Sequence, residues 1–79
     1  MNVKIYSKTN CVFCDKAKIK LQKHNPTIYM LDKDYSRDEF FKKFPNARTF
    51  PQIIINQQNI GGYAELKKWM EQNFFDENF

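Results

Sequence analysis

The sequence predicts an α/β fold in which a small mixed β-sheet carries helices. Short β-rich segments alternate along the chain with segments of helical periodicity. The first two predicted strands flank a helix, which favours a right-handed parallel crossover. The last two are joined by a loop of hairpin length, which favours an antiparallel pair. At 79 residues the chain has the length of one domain, which we expect to span residues 1–79.

The first predicted strand and helix lie within residues 3–23. Alternating, β-rich residues predict a strand over Val3–Ser7. Thr9 and Asn10 are candidate N-caps for a helix that we expect over Cys11–Lys23. The residues expected on the buried face of this helix recur every four positions and have a cysteine beside them: Phe13, Ala17, Leu21 and Cys14.

A second strand and a short second helix follow. Thr27–Leu31 is rich in residues that favour strands and predicts the second strand. Ser36 and Glu39 have the spacing of a capping box, so we expect a helix to begin there. That helix is expected to end near Phe44, just before Pro45.

The last third of the chain predicts a hairpin and a terminal helix. Gln52–Ile55 is apolar on both faces and predicts a central strand. We expect a loop over 56–59, a short strand at Ile60 and a break at the glycine pair 61–62. The inner face of the last helix is predicted from apolar residues at helical spacing: Leu66, Trp69, Met70 and Phe74. Residues 76–79 are expected to form a frayed tail.

Composition excludes several classes of protein. Hydrophobic residues make up 42% of the chain and aromatic residues 16%, which is more apolar content than a disordered segment has. No apolar run approaches the roughly 20 residues of a membrane-spanning helix. Two cysteines are too few for a disulfide-stapled secreted domain. We therefore expect a reducing cytoplasm, where a cysteine pair is more often chemical than structural.

Positive charge concentrates around the two cysteines. The first 23 residues carry six lysines against one aspartate, whereas the remainder carries seven basic and eight acidic residues. This distribution indicates either a solvated lysine-rich helix face or a surface that attracts anionic, thiol-bearing partners. No basic–aromatic RNA-binding signature or zinc-finger spacing accompanies it, so we expect no nucleic-acid partner.

The cysteines form a C-x-x-C motif where the first strand meets the first helix. Cα atoms three residues apart on a helix lie about 5 Å apart, within the roughly 4.4–6.8 Å that a disulfide requires. Cys11 meets the unpaired N–H groups and the positive dipole of the first turn, with Lys8 nearby, and all three favour its thiolate. We expect Cys11 to be a nucleophile with a depressed pKa, and Cys14 to be a less exposed thiol that resolves mixed disulfides.

Two other interpretations of the motif stay open at this point. One is half of a zinc site; since His24 is the only other good ligand, a closed tetrahedral site would then form between subunits. The other is a pair of inert cysteines.

Three segments resemble the glutaredoxin family, in its small dithiol class of bacterial or phage type. Residues 7–14, S-K-T-N-C-V-F-C, resemble the family's S-K-x-x-C-P-Y-C. Residues 48–52, R-T-F-P-Q, resemble R-T-V-P-Q, and residues 60–63, I-G-G-Y, resemble the glycine pair before the last helix. The chain departs from the family pattern at four positions, where it carries Val12 for Pro, Phe13 for Tyr, Ala64 for Thr or Ser, and Glu65 for Asp.

The resemblance implies a minimal thioredoxin fold, β-α-β-α-β-β-α, with a four-stranded mixed sheet and three helices. It also implies a cis peptide bond before Pro51. That bond would leave the backbone N–H and C=O of Phe50 facing the Cys11 sulfur, where an extended thiol substrate could pair as a short strand.

The resemblance further implies a glutathione-binding site. The γ-glutamyl end of glutathione is expected at the free N–H groups that follow Gly61-Gly62, and Lys8 is expected to hold the glycyl carboxylate. The residues implied to bind glutathione are Lys8, Phe13, Thr49, Phe50, Pro51, Gly62, Tyr63, Ala64 and Glu65.

The function implied is that of a glutathione-dependent thiol–disulfide oxidoreductase acting through Cys11 and Cys14. It would reduce protein disulfides and glutathione mixed disulfides, with glutathione as co-substrate, no bound cofactor and no metal. Expected partners are glutathione and disulfide-containing proteins, with ribonucleotide reductase offered by analogy with the family. We expect a monomer with no membrane partner.

Two alternative functions stay open. One is a thioredoxin-like electron donor reduced by thioredoxin reductase, because C-V-x-C motifs occur in glutaredoxin-like proteins of that kind; their S-G-F-R-P signature is absent from this chain. The other is a dimeric iron–sulfur carrier that uses Cys11 and glutathione, although such members usually carry C-G-F-S.

Overall fold

The part of the chain that the structure describes contains four strands and three α-helices, in the order that the sequence predicts. The computed structural model describes residues 1–73. Its elements are β1 Val3–Ser7, α1 Val12–Leu21, β2 Thr27–Met30, α2 Arg37–Lys43, β3 Gln52–Ile55, β4 Gln58–Gly61 and α3 Tyr63–Asn73, with a 3₁₀ turn over Gln22–His24 after α1. The predicted order β-α-β-α-β-β-α is therefore confirmed. No helix within these residues is both long and apolar enough to cross a bilayer.

The four strands form one mixed sheet in the order β2-β1-β3-β4. β1 pairs in parallel with β2, with Ile5 opposite Ile28, and antiparallel with β3, with Ile5 opposite Ile53. β3 pairs antiparallel with β4. The predicted parallel crossover, the predicted hairpin and the interior position of β3 are all confirmed, and every residue of β3 is buried.

The hairpin between β3 and β4 is tighter than the sequence predicts. The expected loop over 56–59 is wrong, because only Asn56 and Gln57 turn and β4 already begins at Gln58. Both turn residues have positive φ, at 50° and 71°. Two-residue turns of this kind match the twist of the flanking strands. They usually contain a glycine, by which they are recognised in a sequence, and this turn has none. A bulge where β4 faces Ile53 and Ile54 carries the chain to the glycine pair.

One face of the sheet packs against α1 and α3. The buried residues of this core are Val3, Ile5, Ala17, Leu21, Ile53, Ile55, Leu66 and Met70. Trp69 is half-buried against them, whereas Phe74 and residues 76–79 lie outside the described part of the chain. Expected burial of the last helix is thus confirmed at Leu66 and Met70.

The expected buried face of α1 is wrong at one residue. Cys14, Ala17 and Leu21 are fully buried, but the side chain of Phe13 is 52% exposed. Successive residues on a helix are about 100° apart, so Phe13 lies well off the stripe that starts at Cys14. Residues spaced by four shift about 40° around the helix at each step, because four residues turn it by about 400°. The residues that face the core therefore alternate spacings of three and four.

The other face of the sheet carries an aromatic cluster centred on α2. Its buried members are Tyr35, Phe40, Phe44 and Ile54, and Phe50 packs against them. The ring of Phe40 stacks on that of Phe50 with centroids 4.4 Å apart.

The capping box expected at the start of α2 is confirmed, because Ser36 N–H donates to Glu39 Oε1 at 2.7 Å and Glu39 N–H donates to Ser36 Oγ at 3.1 Å. The cap fixes where α2 begins and therefore where Phe40 enters the cluster.

Tyr35 ties the aromatic cluster to the end of β1. Its hydroxyl donates to the carbonyl oxygen of Ser7 at 2.6 Å. Ser7 is the last residue of β1, and the chain then runs through Lys8 to Cys11. The hydrogen bond therefore anchors the strand end from which the C-x-x-C segment starts.

Replacing Phe40 by alanine is expected to destabilise the fold by about 3–5 kcal/mol, because Phe40 is only 2% exposed and its removal leaves a cavity beside Phe50. The matched control is Phe41→Ala, one position away on the same helix. Phe41 is 43% exposed, so its loss is expected to cost less than about 1 kcal/mol. Denaturant unfolding of the reduced proteins measures both, and equal losses would show that the cluster does not depend on Phe40.

Alkaline pH is expected to weaken the anchor at Tyr35. Burial, reinforced by Tyr6 and by nearby aspartates, raises the pKa of Tyr35 from 10.0 to about 12. The folded protein holds the Tyr35 hydroxyl proton more tightly than the unfolded chain does. The protonated hydroxyl therefore stabilises the folded state fully below pH 10.0, and this stabilisation is lost as the pH rises to about 12.

Urea unfolding at several pH values, with Tyr35→Phe alongside, measures this effect. The free energy of unfolding of the wild type is expected to fall more steeply across that window than that of the variant. Parallel curves would contradict the assignment.

Candidate active site

Cys11 is itself the N-cap of α1. Its backbone is extended, with φ −130° and ψ 103°, and its sulfur accepts the N–H of Cys14 at 3.2 Å. Its carbonyl oxygen accepts the N–H of Asp15 at 3.1 Å, the first bond of the helix. The expectation that Thr9 or Asn10 caps the helix is wrong. Asn10 instead takes a left-handed conformation, with φ 53°, immediately before the cap.

The two sulfurs lie in different surroundings although they are joined in a disulfide. The Cα atoms of Cys11 and Cys14 are 5.2 Å apart, as the helical spacing predicts. Cys14 has no exposed surface, whereas Cys11 is half-buried. The predicted difference in exposure is confirmed, and a partner can approach only the Cys11 sulfur directly.

The Phe50–Pro51 segment forms the wall opposite Cys11. The peptide bond between these residues is cis, as the resemblance implies. The carbonyl oxygen of Phe50 lies 3.8 Å from Cys11 Sγ. Pro51 is fully buried, and the side-chain amide of Gln52 donates to the carbonyl of Thr49 at 2.9 Å, which ties the segment into a turn.

The glycine pair lets the start of α3 approach this wall. Gly61 has φ 119°, which glycine adopts readily. A Cβ atom on Gly62 would lie 3.1 Å from Thr49 Oγ1 and 3.5 Å from the carbonyl oxygen of Pro51. A Cβ atom at this position would therefore be in tight contact with the Thr49 side chain, which would have to shift slightly.

The N-terminus of α3 already holds a carboxylate of the same chain. Gly62 N–H donates to Glu65 Oε1 at 2.9 Å, and Leu66 N–H makes the first helical bond, to the carbonyl of Gly62 at 2.9 Å. The intervening N–H groups belong to the first turn, where a helix supplies no acceptor of its own.

Aromatic rings and lysines lie together at the starts of α1 and α3. Phe13 stacks on Tyr63 with ring centroids 5.6 Å apart. The amino groups of Lys16 and Lys67 lie over these two rings, at 5.5 Å from the Phe13 centroid and 5.9 Å from the Tyr63 centroid. Lys8 lies over Phe50 at 5.5 Å. The exposed position of Phe13, off the buried stripe of α1, is what makes this stack possible.

A cavity of about 740 Å³ opens beside these rings. Its volume is that of a typical small-molecule site. It brings together six of the residues that the resemblance implies for glutathione: Phe13, Thr49, Phe50, Tyr63, Ala64 and Glu65. Of the other three, Lys8 lies over the ring of Phe50, Pro51 is fully buried, and Gly62 lines a second cavity of about 480 Å³.

Four charged residues that the sequence patterns do not assign to the site also line the larger cavity: Lys16, Lys67, Lys68 and Glu71. Lys16 follows Phe13 by three residues and Lys67 follows Tyr63 by four, so each lies on the same helix face as a ring of the stack. Once Phe13 and Tyr63 are assigned to the site, this spacing predicts that Lys16 and Lys67 lie beside them. Among residues 1–73, no group of three or more His, Cys, Asp or Glu side chains is placed to hold a metal ion.

Comparison with known proteins identifies the family. The family model for glutaredoxin matches residues 3–60, which include both cysteines and the cis proline. The chain belongs to the glutaredoxin family. With the C-x-x-C pair in place, family membership makes this protein a thiol–disulfide oxidoreductase.

Individual glutaredoxins align with this chain over most of their length. Glutaredoxin 3 of Escherichia coli K12 is 37% identical over 68 residues, 82% of this chain and 81% of that protein. Glutaredoxin-1 of Rhizophagus irregularis is 35% identical over 69 residues, 81% of this chain and 68% of that protein. The crystal structure of Francisella tularensis glutaredoxin 1 superposes with a TM-score of 0.77 at 27% identity, covering 95% of this chain and 98% of that one. The predicted thioredoxin fold is confirmed.

Val12→Pro is expected to stabilise this glutaredoxin by about 0.4–1 kcal/mol. Val12 is the first residue of α1 and is 67% exposed, so proline removes neither a helical hydrogen bond nor a buried side chain. The extended backbone of Cys11 is close to what a residue before proline adopts.

Denaturant unfolding of the reduced protein measures the gain. Val12→Ala, which leaves the backbone of the unfolded chain unconstrained, serves as the control and is expected to stay near the wild-type value. Destabilisation by proline would show that the N–H of Val12 is needed.

Proposed function

We propose that this glutaredoxin reduces protein disulfides and glutathione mixed disulfides, with glutathione as the source of electrons. The observation that carries the proposal is the helix cap: the half-buried Cys11 sulfur accepts the N–H of Cys14, whose own sulfur is fully buried. A hydrogen bond to sulfur and a helix N-terminus both favour the thiolate, which is the attacking species. The two cysteines are thereby given different roles.

In the first step, the Cys11 thiolate attacks one sulfur of a substrate disulfide. A Cys11–substrate bond forms, the substrate disulfide breaks, and the departing sulfur leaves as a thiolate that takes a proton from water. The carbonyl of Phe50, 3.8 Å from Cys11 Sγ, can accept a backbone N–H of the substrate chain beside the reacting sulfur. Pairing of this kind would align the disulfide with the attacking sulfur.

In the second step, Cys14 resolves the mixed disulfide. It loses its proton and attacks the Cys11 sulfur, the second substrate thiol leaves, and the Cys11–Cys14 disulfide closes across a Cα separation of 5.2 Å. Two glutathione molecules then restore the dithiol. The first forms a mixed disulfide with Cys11, and the second displaces it as oxidised glutathione.

The cavity of about 740 Å³ is the proposed glutathione site, and one of its lining residues, Phe50, has its carbonyl oxygen 3.8 Å from Cys11 Sγ. It is large enough for a tripeptide, and the Phe13–Tyr63 stack supplies an apolar wall for it. Lys8 lies over the ring of Phe50, a residue that lines the cavity, and from there its ammonium can attract the glycyl carboxylate. The γ-glutamyl end would then extend toward the first turn of α3.

Cys14→Ser is expected to retain most of the activity on glutathione mixed disulfides, because a second glutathione can resolve the Cys11 adduct. Cys11→Ser is expected to lose all turnover, since the second cysteine, Cys14, is fully buried and a substrate disulfide cannot reach it. The hydroxyethyl-disulfide assay, run with and without glutathione, measures both variants. Near-normal activity of Cys11→Ser would refute the assignment of the nucleophile.

The source of electrons needs its own comparison. The oxidised wild-type protein is incubated either with glutathione or with NADPH and thioredoxin reductase, and the free thiols are counted. Reduction by glutathione supports the proposal, whereas reduction by the reductase alone would make the protein a thioredoxin-like donor.

Anaerobic reconstitution with iron, sulfide and glutathione is expected to leave the protein colourless, and a stable brown dimer would favour an iron–sulfur carrier.

A further inference from the structure

Three lysines line the cavity of about 740 Å³ without forming an ion pair with any of residues 1–73. They are Lys16 of α1 and Lys67 and Lys68 of α3. The ion pair that the structure shows within those residues joins Lys18 to Asp15, and neither of these lines the cavity. The three ammonium groups are therefore available to an anion from outside the chain.

Two of these lysines are positioned by aromatic rings. The amino group of Lys16 lies 5.5 Å from the centroid of Phe13, and that of Lys67 lies 5.9 Å from the centroid of Tyr63. Because the two rings stack on each other, cations from two different helices lie at one wall. A concave surface on which one sign of charge prevails raises the local concentration of ions of the opposite sign.

The two carboxylates that line the same cavity do not pair with the lysines. Glu65 turns toward the glycine pair, where its Oε1 accepts the N–H of Gly62 at 2.9 Å. Glu71 follows Lys67 by four positions and Lys68 by three, yet it forms no ion pair with either in the described part of the chain. Three ammonium groups against two carboxylates leave the wall with a net positive charge.

The cavity borders the place where a substrate chain would pair. Phe50 lines it, and the carbonyl oxygen of Phe50 lies 3.8 Å from Cys11 Sγ. A polypeptide that pairs with this carbonyl beside its reacting disulfide would carry its neighbouring side chains past the cavity. The lysines would then meet residues close to the substrate cysteine.

We propose that the lysine wall is a subsite for acidic side chains of polypeptide substrates, so that the protein prefers disulfides whose cysteines have aspartate or glutamate nearby. The inference rests on the proposed reduction of protein disulfides. Lys67 and Lys68 are its specificity-determining residues, since α3 carries neither cysteine. Their attraction for the acidic side chains favours the encounter, and the exchange of sulfur bonds that follows is the one described above.

Three symmetrical peptide disulfides that differ in the charge beside the cysteine test the subsite. The peptides are short, are blocked at both ends and carry glutamate, glutamine or lysine on both sides of the cysteine. The second-order rate constant for reduction by the pre-reduced protein is measured in a single turnover, without glutathione. The acid preference is the rate with the glutamate peptide divided by the rate with the glutamine peptide. Comparing this ratio between protein variants cancels the intrinsic reactivity of each peptide and any change in the amount of folded protein.

The double variant Lys67→Gln/Lys68→Gln is expected to lower the acid preference about three- to tenfold, as the loss of two exposed ion pairs would. Lys67→Glu/Lys68→Glu is expected to raise the rate with the lysine peptide relative to the glutamine peptide. Because both lysines are exposed, the acid preference of the wild type is expected to fall in high salt. An unchanged acid preference in the glutamine variant would overturn the proposal.

Lys20→Gln/Lys23→Gln is the matched control. It removes the same charge from residues that do not line the cavity, one in the last turn of α1 and one in the 3₁₀ turn that follows. Its acid preference is expected to stay near the wild-type value. An equal fall in both double variants would show that net charge alone attracts acidic substrates, and the assignment of a subsite would be wrong.

A separate outcome distinguishes this inference from the proposed function. If the pre-reduced wild type reduces none of the three peptides but reduces hydroxyethyl disulfide, the proposed reduction of protein disulfides itself fails. If it reduces all three and the acid preference does not depend on Lys67 and Lys68, the subsite is wrong while the proposed function stands.

Discussion

The hydrogen bond from the Cys14 N–H to the Cys11 sulfur is the interaction on which the account of this protein depends. An N-cap is usually an oxygen of Ser, Thr, Asp or Asn, and here a sulfur takes that place. Sulfur accepts hydrogen bonds weakly as a thiol and strongly as a thiolate, so the helix end favours the charged form. The same helical spacing places the second sulfur within disulfide distance and buries it. A single turn of helix therefore separates attacking and resolving roles between two chemically identical side chains.

The aromatic cluster on the far face of the sheet supports this turn from two directions. Tyr35 holds the end of β1 through the carbonyl of Ser7, and Phe40 stacks on Phe50, whose carbonyl lies beside the Cys11 sulfur. Both residues belong to the segment around α2, which supplies no group to the cavity. The function of α2 in the fold is thus to fix the strand end and the wall between which Cys11 is held. Its capping box matters for the site because it sets the register of that helix.

Most of the fold was accessible from the sequence, since local patterns agreed with the tertiary structure. The alternation in β1, the apolar run of β3 and the Ser36–Glu39 capping box each specify one element independently of the others. The failures have physical causes. Phe13 was expected to be buried because a spacing of four approximates the helical period, and the turn at Asn56-Gln57 was missed because neither residue is the glycine that usually marks it.

The candidate site was predictable where it depends on backbone geometry and less so where it depends on side-chain conformation. The C-x-x-C spacing, the proline and the glycine pair fix positions that any side chain must accommodate. The lysines over Phe13 and Tyr63, and the return of Glu65 to Gly62, depend on rotamers of long exposed side chains that sequence patterns do not specify. These are also the features in which one glutaredoxin can differ from another while the fold is retained.

The different roles of the two cysteines are tested by the pH dependence of iodoacetamide alkylation of the fully reduced protein, resolved by mass spectrometry into Cys11 and Cys14. We expect Cys11 to react as a thiolate, with a midpoint well below the value near 8.5 that is usual for a cysteine thiol, and Cys14 to stay largely unmodified until the pH is alkaline. Equal reactivity of the two cysteines, with ordinary alkaline midpoints, would contradict it.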